Sequence, residues 1–165
     1  SEYNAIKNDA NDPSALLNLL NKAFVKNYKN LTVFFTCIVV DIDLKNKTIS
    51  YSSAGHLDQY LVDEKNNINI MKHSGKMIGL NKDLLFKNKK IDFKSKNKIL
   101  LFSDGIYEQF NCKKEMYGEE KLKTIIKNNK DSLSTMIENI IIDLNNFICD
   151  EPINDDITLI GINIK

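Results

Sequence analysis

Aspartate is the residue type whose placement in this chain points most directly to chemistry. One closes the apolar run Ile99-Leu100-Leu101-Phe102-Ser103-Asp104-Gly105, and a pair opens Asn154-Asp155-Asp156-Ile157-Thr158-Leu159-Ile160-Gly161-Ile162. Runs this apolar read as buried strands. A carboxylate at the tip of a buried strand is costly unless a cation or hydrogen-bond donors accompany it. Asp155 and Asp156 also stand side by side, and their mutual repulsion favours occupation of one by a cation or a donor. Asp104, Asp155 and Asp156 are therefore candidate metal ligands. The plainer reading stays open beside it: Asp before Gly is a common turn pair, and Asp155 or Asp156 could cap a turn.

Other polar residues carry weaker signals. In Ala54-Gly55-His56 the glycine suits a turn, and the imidazole is expected to make a backbone hydrogen bond rather than to do catalysis. His73 lies in a polar segment and reads as solvated. Glu108, four residues after Asp104, reads as a helix-surface or capping carboxylate at least as readily as one that orients a ligand. Gly79 and Gly118 read as positions needing glycine's backbone freedom. The lysine-rich stretch from Lys82 to Lys98 could meet an acidic or phosphorylated partner, although a solvated face is the commoner meaning. Cys37, Cys112 and Cys149 are odd in number and form no Cys-x-x-Cys pair, so they read as free thiols in a reducing compartment.

The elements that must position the aspartates follow from periodicity. Asp12 can cap a helix whose first turn holds Pro13, and Leu16, Leu17, Leu20, Ala23, Phe24 and Tyr28 recur at helical spacing, predicting a helix from Pro13 to Tyr28. Thr32 to Asp43 and Thr48 to Ser53 flank Lys45-Asn46-Lys47 as a hairpin, and Leu57 to Val62 with Ile68 to Met71 form a second. Lys87 to Phe93 and Lys98 to Ser103 enclose a polar Lys94-Ser95-Lys96-Asn97 turn, which continues the antiparallel pattern to Asp104. Helices follow over Glu119 to Lys127 and Ser132 to Cys149, the latter carrying the stripe Leu133, Met136, Ile137, Ile140, Ile141, Leu144 and Ile148. A last strand is expected from Asp156 to Ile164. Hairpins with helices grouped at the ends argue for an α+β fold on antiparallel sheet rather than for alternating βαβ units.

The bounds set by composition agree with one globular domain over 1–165. With 23 basic against 22 acidic residues, the net charge of +1 creates no field that would draw the chain to nucleic acid or anionic lipid. The longest apolar stretch, Val33 to Val40, is far too short to span a bilayer, and the polar start is no secretory signal. A soluble, cytoplasmic domain without membrane contact is the expectation.

Five short motifs occur in a telling order: Tyr51-Ser52-Ser53-Ala54-Gly55-His56, Gly79-Leu80, Leu101-Phe102-Ser103-Asp104-Gly105-Ile106-Tyr107-Glu108, Tyr117-Gly118 and Asp155-Asp156-Ile157-Thr158. On these, the chain resembles the metal-dependent serine/threonine protein phosphatases (PPM family), in the bacterial branch typified by the stage II sporulation protein E and the stress-response sigma-factor regulators. The resemblance covers nearly the whole chain. It implies an antiparallel β-sandwich flanked by helices in α-β-β-α layers, with two Mn²⁺ or Mg²⁺ ions whose bridging water attacks a phosphoserine or phosphothreonine directly. It implies that Asp104 and Asp155 are metal ligands, with Asp156 as the alternative for the second role, and that the substrate is a phosphorylated regulator of the anti-anti-sigma type.

Two motifs of that family do not occur here. The Gly-Asp-x-x-Asp strand and the Asp-Val-Ser-Gly-His-Gly segment, which supply the bridging aspartate and the ligands of the second metal, have no counterpart, and Asp9 and Asp12 do not inherit their roles. The chain therefore resembles the C-terminal part of the family's domain, holding half of a binuclear centre. A piece of a longer phosphatase and a native module that kept the fold for protein binding or signalling are the two explanations. The polar start favours the first. An incomplete sheet leaves an edge uncovered, so self-association as a homodimer, or strand exchange, is also expected.

Overall fold

The structure is a computed structural model, and it describes residues 2–28, 31–129, 132–149 and 151–164. The elements run α1 (Glu2–Ile6), α2 (Pro13–Tyr28), β1 (Cys37–Asp43), β2 (Thr48–Ala54), β3 (Gln59–Val62), β4 (Ile68–Met71), β5 (Lys89–Asp92), β6 (Lys98–Phe102), a 3₁₀ turn (Asp104–Ile106), α3 (Glu119–Asn128), α4 (Leu133–Ile148) and β7 (Leu159–Asn163). The strands form two antiparallel sheets, ordered β1-β2-β5 and β4-β3-β6-β7. The predicted α+β class therefore holds. The chain divides into two compact units, Ser1–Asp58 with Lys72–Phe93, and Gln59–Met71 with Lys94–Lys165.

In the first unit, α2 forms where the periodicity places it. Asp12 Oδ1 accepts from the Ala15 N–H at 2.9 Å and from the Ser14 hydroxyl at 2.7 Å, which satisfies an orphan donor of the first turn. These bonds also hold the Asp12 carboxyl below its ordinary range. Pro13, Leu16 and Leu17 are buried, and Leu17 meets Ala54, Ile78 and Phe86 in a core sealed by Leu20, Phe24, Phe35 and Val39. The one buried polar residue of the helix, Asn21, donates from Nδ2 to the Asn81 carbonyl at 2.8 Å and accepts from the Gly79 N–H at 3.0 Å. Gly79 has φ +95°, and a Cβ there would sit 2.5 Å from the Val33 carbonyl oxygen, so glycine is required.

β1 begins at Cys37 rather than at Thr32. Phe35 is drawn off to exchange both backbone bonds with Ile78 (3.2 and 3.0 Å), so the preceding residues do not extend the β1-β2 ladder. α1, over Glu2–Ile6, has no apolar periodicity that would have announced it.

The second unit holds the four-stranded sheet and the last two helices. β3 is buried along its whole length, and Ile99, Leu100 and Phe102 of β6 are buried beside it. Buried Leu122 and Ile126 of α3 share this unit with Leu133, Met136, Ile140, Leu144 and Ile148 of α4. Ser132 caps α4 by accepting from the Thr135 N–H, and Cys149 ends it in the left-handed conformation. α4 lays the side-chain tips of Ile137 and Leu133 over Gly161 of β7. A Cβ there would fall 2.7 Å from Ile137 Cδ1 and 3.0 Å from Leu133 Cδ1.

The expected turn at Lys94 to Asn97 does not join a hairpin. β5 pairs with β2, whereas β6 pairs with β3 and β7. Their side chains explain the separation. Lys89-Lys90-Ile91-Asp92 alternates exposed and half-buried positions, which suits an edge strand, and Ile99 and Leu100 are wholly buried, which requires neighbours on both sides. Asn97 closes the intervening bend by accepting from the Lys94 N–H, while its backbone pairs with Ile164.

Candidate functional site

β6 and β7 pair directly, in the register Leu100↔Gly161, Leu101↔Ile160 and Phe102↔Leu159. The two segments carrying the candidate carboxylates therefore lie side by side at the same end of the sheet. β7 starts at Leu159 and not at Asp156, because one side chain takes over the next rung of the ladder. The Ser103 N–H donates to the Thr158 carbonyl at 3.1 Å, but the Thr158 N–H donates to the Ser103 hydroxyl oxygen at 2.9 Å, and that hydroxyl donates to the Asp156 carbonyl at 3.0 Å. Ser103 thus peels Asp155 and Asp156 out of the strand into an exposed loop.

Asp104 opens the 3₁₀ turn that follows β6 and is half-buried. Its carbonyl accepts from the N–H groups of Tyr107 and Glu108, both at 3.0 Å, and its Oδ1 accepts from the Gly105 N–H at 3.1 Å. Asp155 is anchored similarly, with Oδ1 accepting from the Asp156 N–H at 2.8 Å. Gly105 is where the two segments touch. A Cβ built on it would lie 2.3 Å from the Asp156 carbonyl oxygen and 3.2 Å from that of Asp155. No ion pair involves Asp104, Asp155 or Asp156 among the described residues.

Two buried glutamines, which motif reading passed over, hold this end of the sheet. Gln59 is fully buried just before β6's register with β3 begins, and its side chain substitutes for a strand: Oε1 accepts from the Phe102 N–H at 2.6 Å and Nε2 donates to the Phe102 carbonyl at 3.1 Å. Gln109, equally buried, donates from Nε2 to the Gly105 carbonyl at 2.7 Å and to the Asp155 carbonyl at 3.3 Å, and its Oε1 accepts from the Asn154 N–H at 3.0 Å. The Gln109 backbone is fixed in turn. Its carbonyl accepts from the Tyr117 N–H at 2.9 Å, and the Tyr107 carbonyl accepts from the Gly118 N–H at 2.9 Å, so the Tyr117-Gly118 motif folds back onto the segment after Asp104. Gly118 (φ +80°) then starts α3.

The remaining polar candidates fall elsewhere. Glu108 lies beyond the 3₁₀ turn and is exposed. In the first unit, the His56 imidazole shares a 3.2 Å hydrogen bond with the Thr36 hydroxyl, and the His56 carbonyl accepts from the Ser53 hydroxyl at 2.9 Å. Gly55 has φ +67° and a missing Cβ 2.7 Å from Met77 Cγ, in keeping with its expected turn role. His73 is not merely solvated. Its Nδ1 lies 2.6 Å from Asp58 Oδ1, its N–H donates to the same oxygen at 2.7 Å, and Lys72 Nζ reaches Asp58 Oδ2 at 2.8 Å. Burial opposes ionisation of Asp58, but these donors outweigh it and hold the carboxyl down at about 2. The pairing was hidden because the partners are 15 residues apart on either side of a hairpin.

Donor chemistry decides what this arrangement can hold. Asp104 and Asp155 each keep one oxygen on a neighbouring N–H and offer the other, and hard carboxylate oxygens fit Mg²⁺ or Mn²⁺. No three His, Cys, Asp or Glu side chains among the described residues are grouped so as to hold a metal together. Two carboxylates with water filling the rest of the shell is a common way to bind Mg²⁺. The residues present therefore fit such an ion as a partial ligand set.

Two antiparallel sheets with helices give this chain the fold of the PP2C phosphatase domains. The SiaA-PP2C domain of Pseudomonas aeruginosa superposes with a TM-score of 0.84 at 16% identity, over 99% of this chain and 68% of that one. The phosphatase domain of the cell fate determinant SpoIIE from Bacillus subtilis, presoaked with Mn, superposes with a TM-score of 0.67 at 16% identity, over 98% of this chain and 70% of that one. The stage II sporulation protein E (SpoIIE) family model matches residues 2–165, and the chain belongs to that family. It is similar to the phosphoserine phosphatase RsbU of Bacillus subtilis (strain 168), at 27% identity over 157 residues and 93% of this chain. The chain spans 45% of the length of RsbU and 26% of that of a second curated relative.

Proposed function

We propose that this chain is the Asp104- and Asp155-bearing part of a metal-dependent protein serine/threonine phosphatase domain. The observation that carries the reading is the contact of the Ser103-Asp104-Gly105 turn with the Asp155-Asp156 loop, made by pairing of β6 with β7, in a chain of the SpoIIE family. Asp104 and Asp155 would hold the cation, with Asp156 next in line for the second role. When bound, Mn²⁺ or Mg²⁺ lowers the pKa of a coordinated water and neutralises charge on the phosphoryl group. The chain's own residues supply the holding geometry: the Gly105 N–H orients the Asp104 carboxylate, and Ser103 tethers the loop that carries Asp155.

The substrate class we propose is a phosphoserine- or phosphothreonine-bearing regulatory protein of the anti-anti-sigma type. Similarity to RsbU supports it. A second reading, a non-catalytic module that keeps the fold to bind a partner, is favoured by the absence of any grouping of three metal-ligating side chains among the described residues. Mn²⁺-dependent hydrolysis of p-nitrophenyl phosphate separates the two. The enzyme reading requires activity in the parent protein that is lost in Asp104→Ala and Asp155→Asn. A folded parent protein with no such activity rules it out in favour of the binding module.

A further inference from the structure

We propose that Gln109 is a positioning residue, whose buried carboxamide fixes the spacing between the Asp104 turn and the Asp155 loop and so governs how well the two carboxylates share a cation. The second half of that statement rests on the metal reading above.

The loop needs such a tether. Residues from Pro152 to Asp156 are exposed and belong to no strand or helix, so regular structure does not place them. Ser103 ties the loop at Asp156 and Thr158, on the side facing β6. Gln109 ties it earlier in the chain, at Asn154 and Asp155. The same carboxamide also grips the Gly105 carbonyl, one residue beyond Asp104. One planar group therefore spans both segments, and its own backbone is locked by the Tyr117 N–H.

The chemistry of the group is specific. Nε2 carries two hydrogens and uses them on two carbonyls, while Oε1 takes the one N–H offered to it. Glutamate would bring no N–H and would face two carbonyl oxygens with a charge. Methionine would fill the space and make none of the three bonds. Nothing in the bonding requires the cation, so the positioning acts before any ligand arrives. Groups that orient metal ligands typically change affinity by 10–100-fold when removed.

The test uses the full chain, with Gln109→Met and Gln109→Glu compared against Asp104→Asn. In metal-free protein, amide hydrogen exchange at Asn154 is measured by NMR against Leu100 in β6. Mn²⁺ is then titrated at a temperature where each variant is folded, following paramagnetic broadening of the Gly105 and Asp156 amides. Gln109→Met is expected to speed exchange at Asn154 at least tenfold relative to Leu100 and to weaken Mn²⁺ binding about tenfold. Gln109→Glu should do more of both. If the Met variant does not fold, Gln109→Asn, one methylene short of its partners, must show the same pair of effects. Broadening that is lost in Asp104→Asn but unchanged in the Gln109 variants overturns the positioning role and leaves the metal reading standing. A wild-type chain without Mn²⁺-dependent broadening overturns the metal reading, and the link from Gln109 to cation binding falls with it.

Discussion

Replacing Gly105 with alanine is the sharpest probe of how Asp104 meets the Asp155 loop. The added Cβ would fall 2.3 Å from the Asp156 carbonyl oxygen and 3.0 Å from the carbonyl carbon. Real contacts of that kind stay beyond roughly 3.2 Å, so one backbone must retreat by about an ångström. Neither can do so cheaply. The Gly105 side is gripped by Gln109 through its carbonyl, and the Asp156 carbonyl accepts from the Ser103 hydroxyl. Overpacking against a fixed backbone costs about 1–3 kcal/mol, and the bonds that break on retreat place this case at the upper end, about 3 kcal/mol. Gly161→Ala is the control. Its Cβ would also approach to 2.7 Å, but against the methyl tips of Ile137 and Leu133, which can swing aside. Urea unfolding of both variants measures the difference. About 3 kcal/mol for Gly105→Ala against under about 1 kcal/mol for Gly161→Ala is the expected result. Equal costs would refute the account of Gly105 as the point of backbone contact.

Three further outcomes follow from the geometry. Asn21→Leu leaves the Gly79 N–H and the Asn81 carbonyl without their buried partner and should cost about 2–4 kcal/mol by thermal or urea unfolding; a change below about 0.5 kcal/mol would mean that water replaces the amide. For Asp58 the folded-state pKa lies below the unfolded one, so its ionised pairing stabilises the fold above the ordinary carboxylate range and is lost as pH falls toward about 2. The stability gap between wild type and Asp58→Asn should therefore narrow as the pH falls below about 4, and a gap that widens there instead would contradict the pairing. Ser132→Ala removes the cap of α4 and should cost about 1 kcal/mol in urea unfolding, whereas Ser134→Ala on the same helix should cost a few tenths at most.

What the sequence disclosed depended on how locally each feature is encoded. α2 was legible from Pro13 to Tyr28 because a cap, a proline and a 3.6-residue stripe all lie within the helix itself. The adjacency of Asp104 and the Asp-Asp pair was implied by the family resemblance that the ordered motifs carry. The strand pairing beyond β5 was not legible, because a polar turn between two strands looks the same whether they pair with each other or part into different sheets. Only burial separated them: β5 alternates as an edge, and β6 is sealed on both sides. α1 left no trace, having no apolar stripe over Glu2–Ile6. Asp58 and His73 looked independent because a hairpin brings them together, and hairpin register is set by ladder pairing rather than by the polar residues beyond its ends.

Gln59 and Gln109 show why the site was harder to read than the fold. A motif marks residues that could touch a ligand, and both aspartates carry such a mark. The residues that place them carry none. Gln59 acts on a main-chain N–H and C=O 43 positions away, and Gln109 on a carbonyl 46 away, so the partners are backbone groups that every residue possesses. Glutamine ordinarily signals solvent, and only full burial reveals that these two are structural. The consequence concerns how the strand end is held as well as where. Phe102, two residues before Asp104, lies opposite Leu159 of β7 on one side, and on the other its N–H and C=O are both taken by a side chain rather than a strand. A side chain can complete the ladder at that point without extending β3, which frees the backbone beyond Phe102 to turn. The sheet thus stops where Asp104 must leave it, and a longer β3 would have carried the aspartate onward as a strand residue.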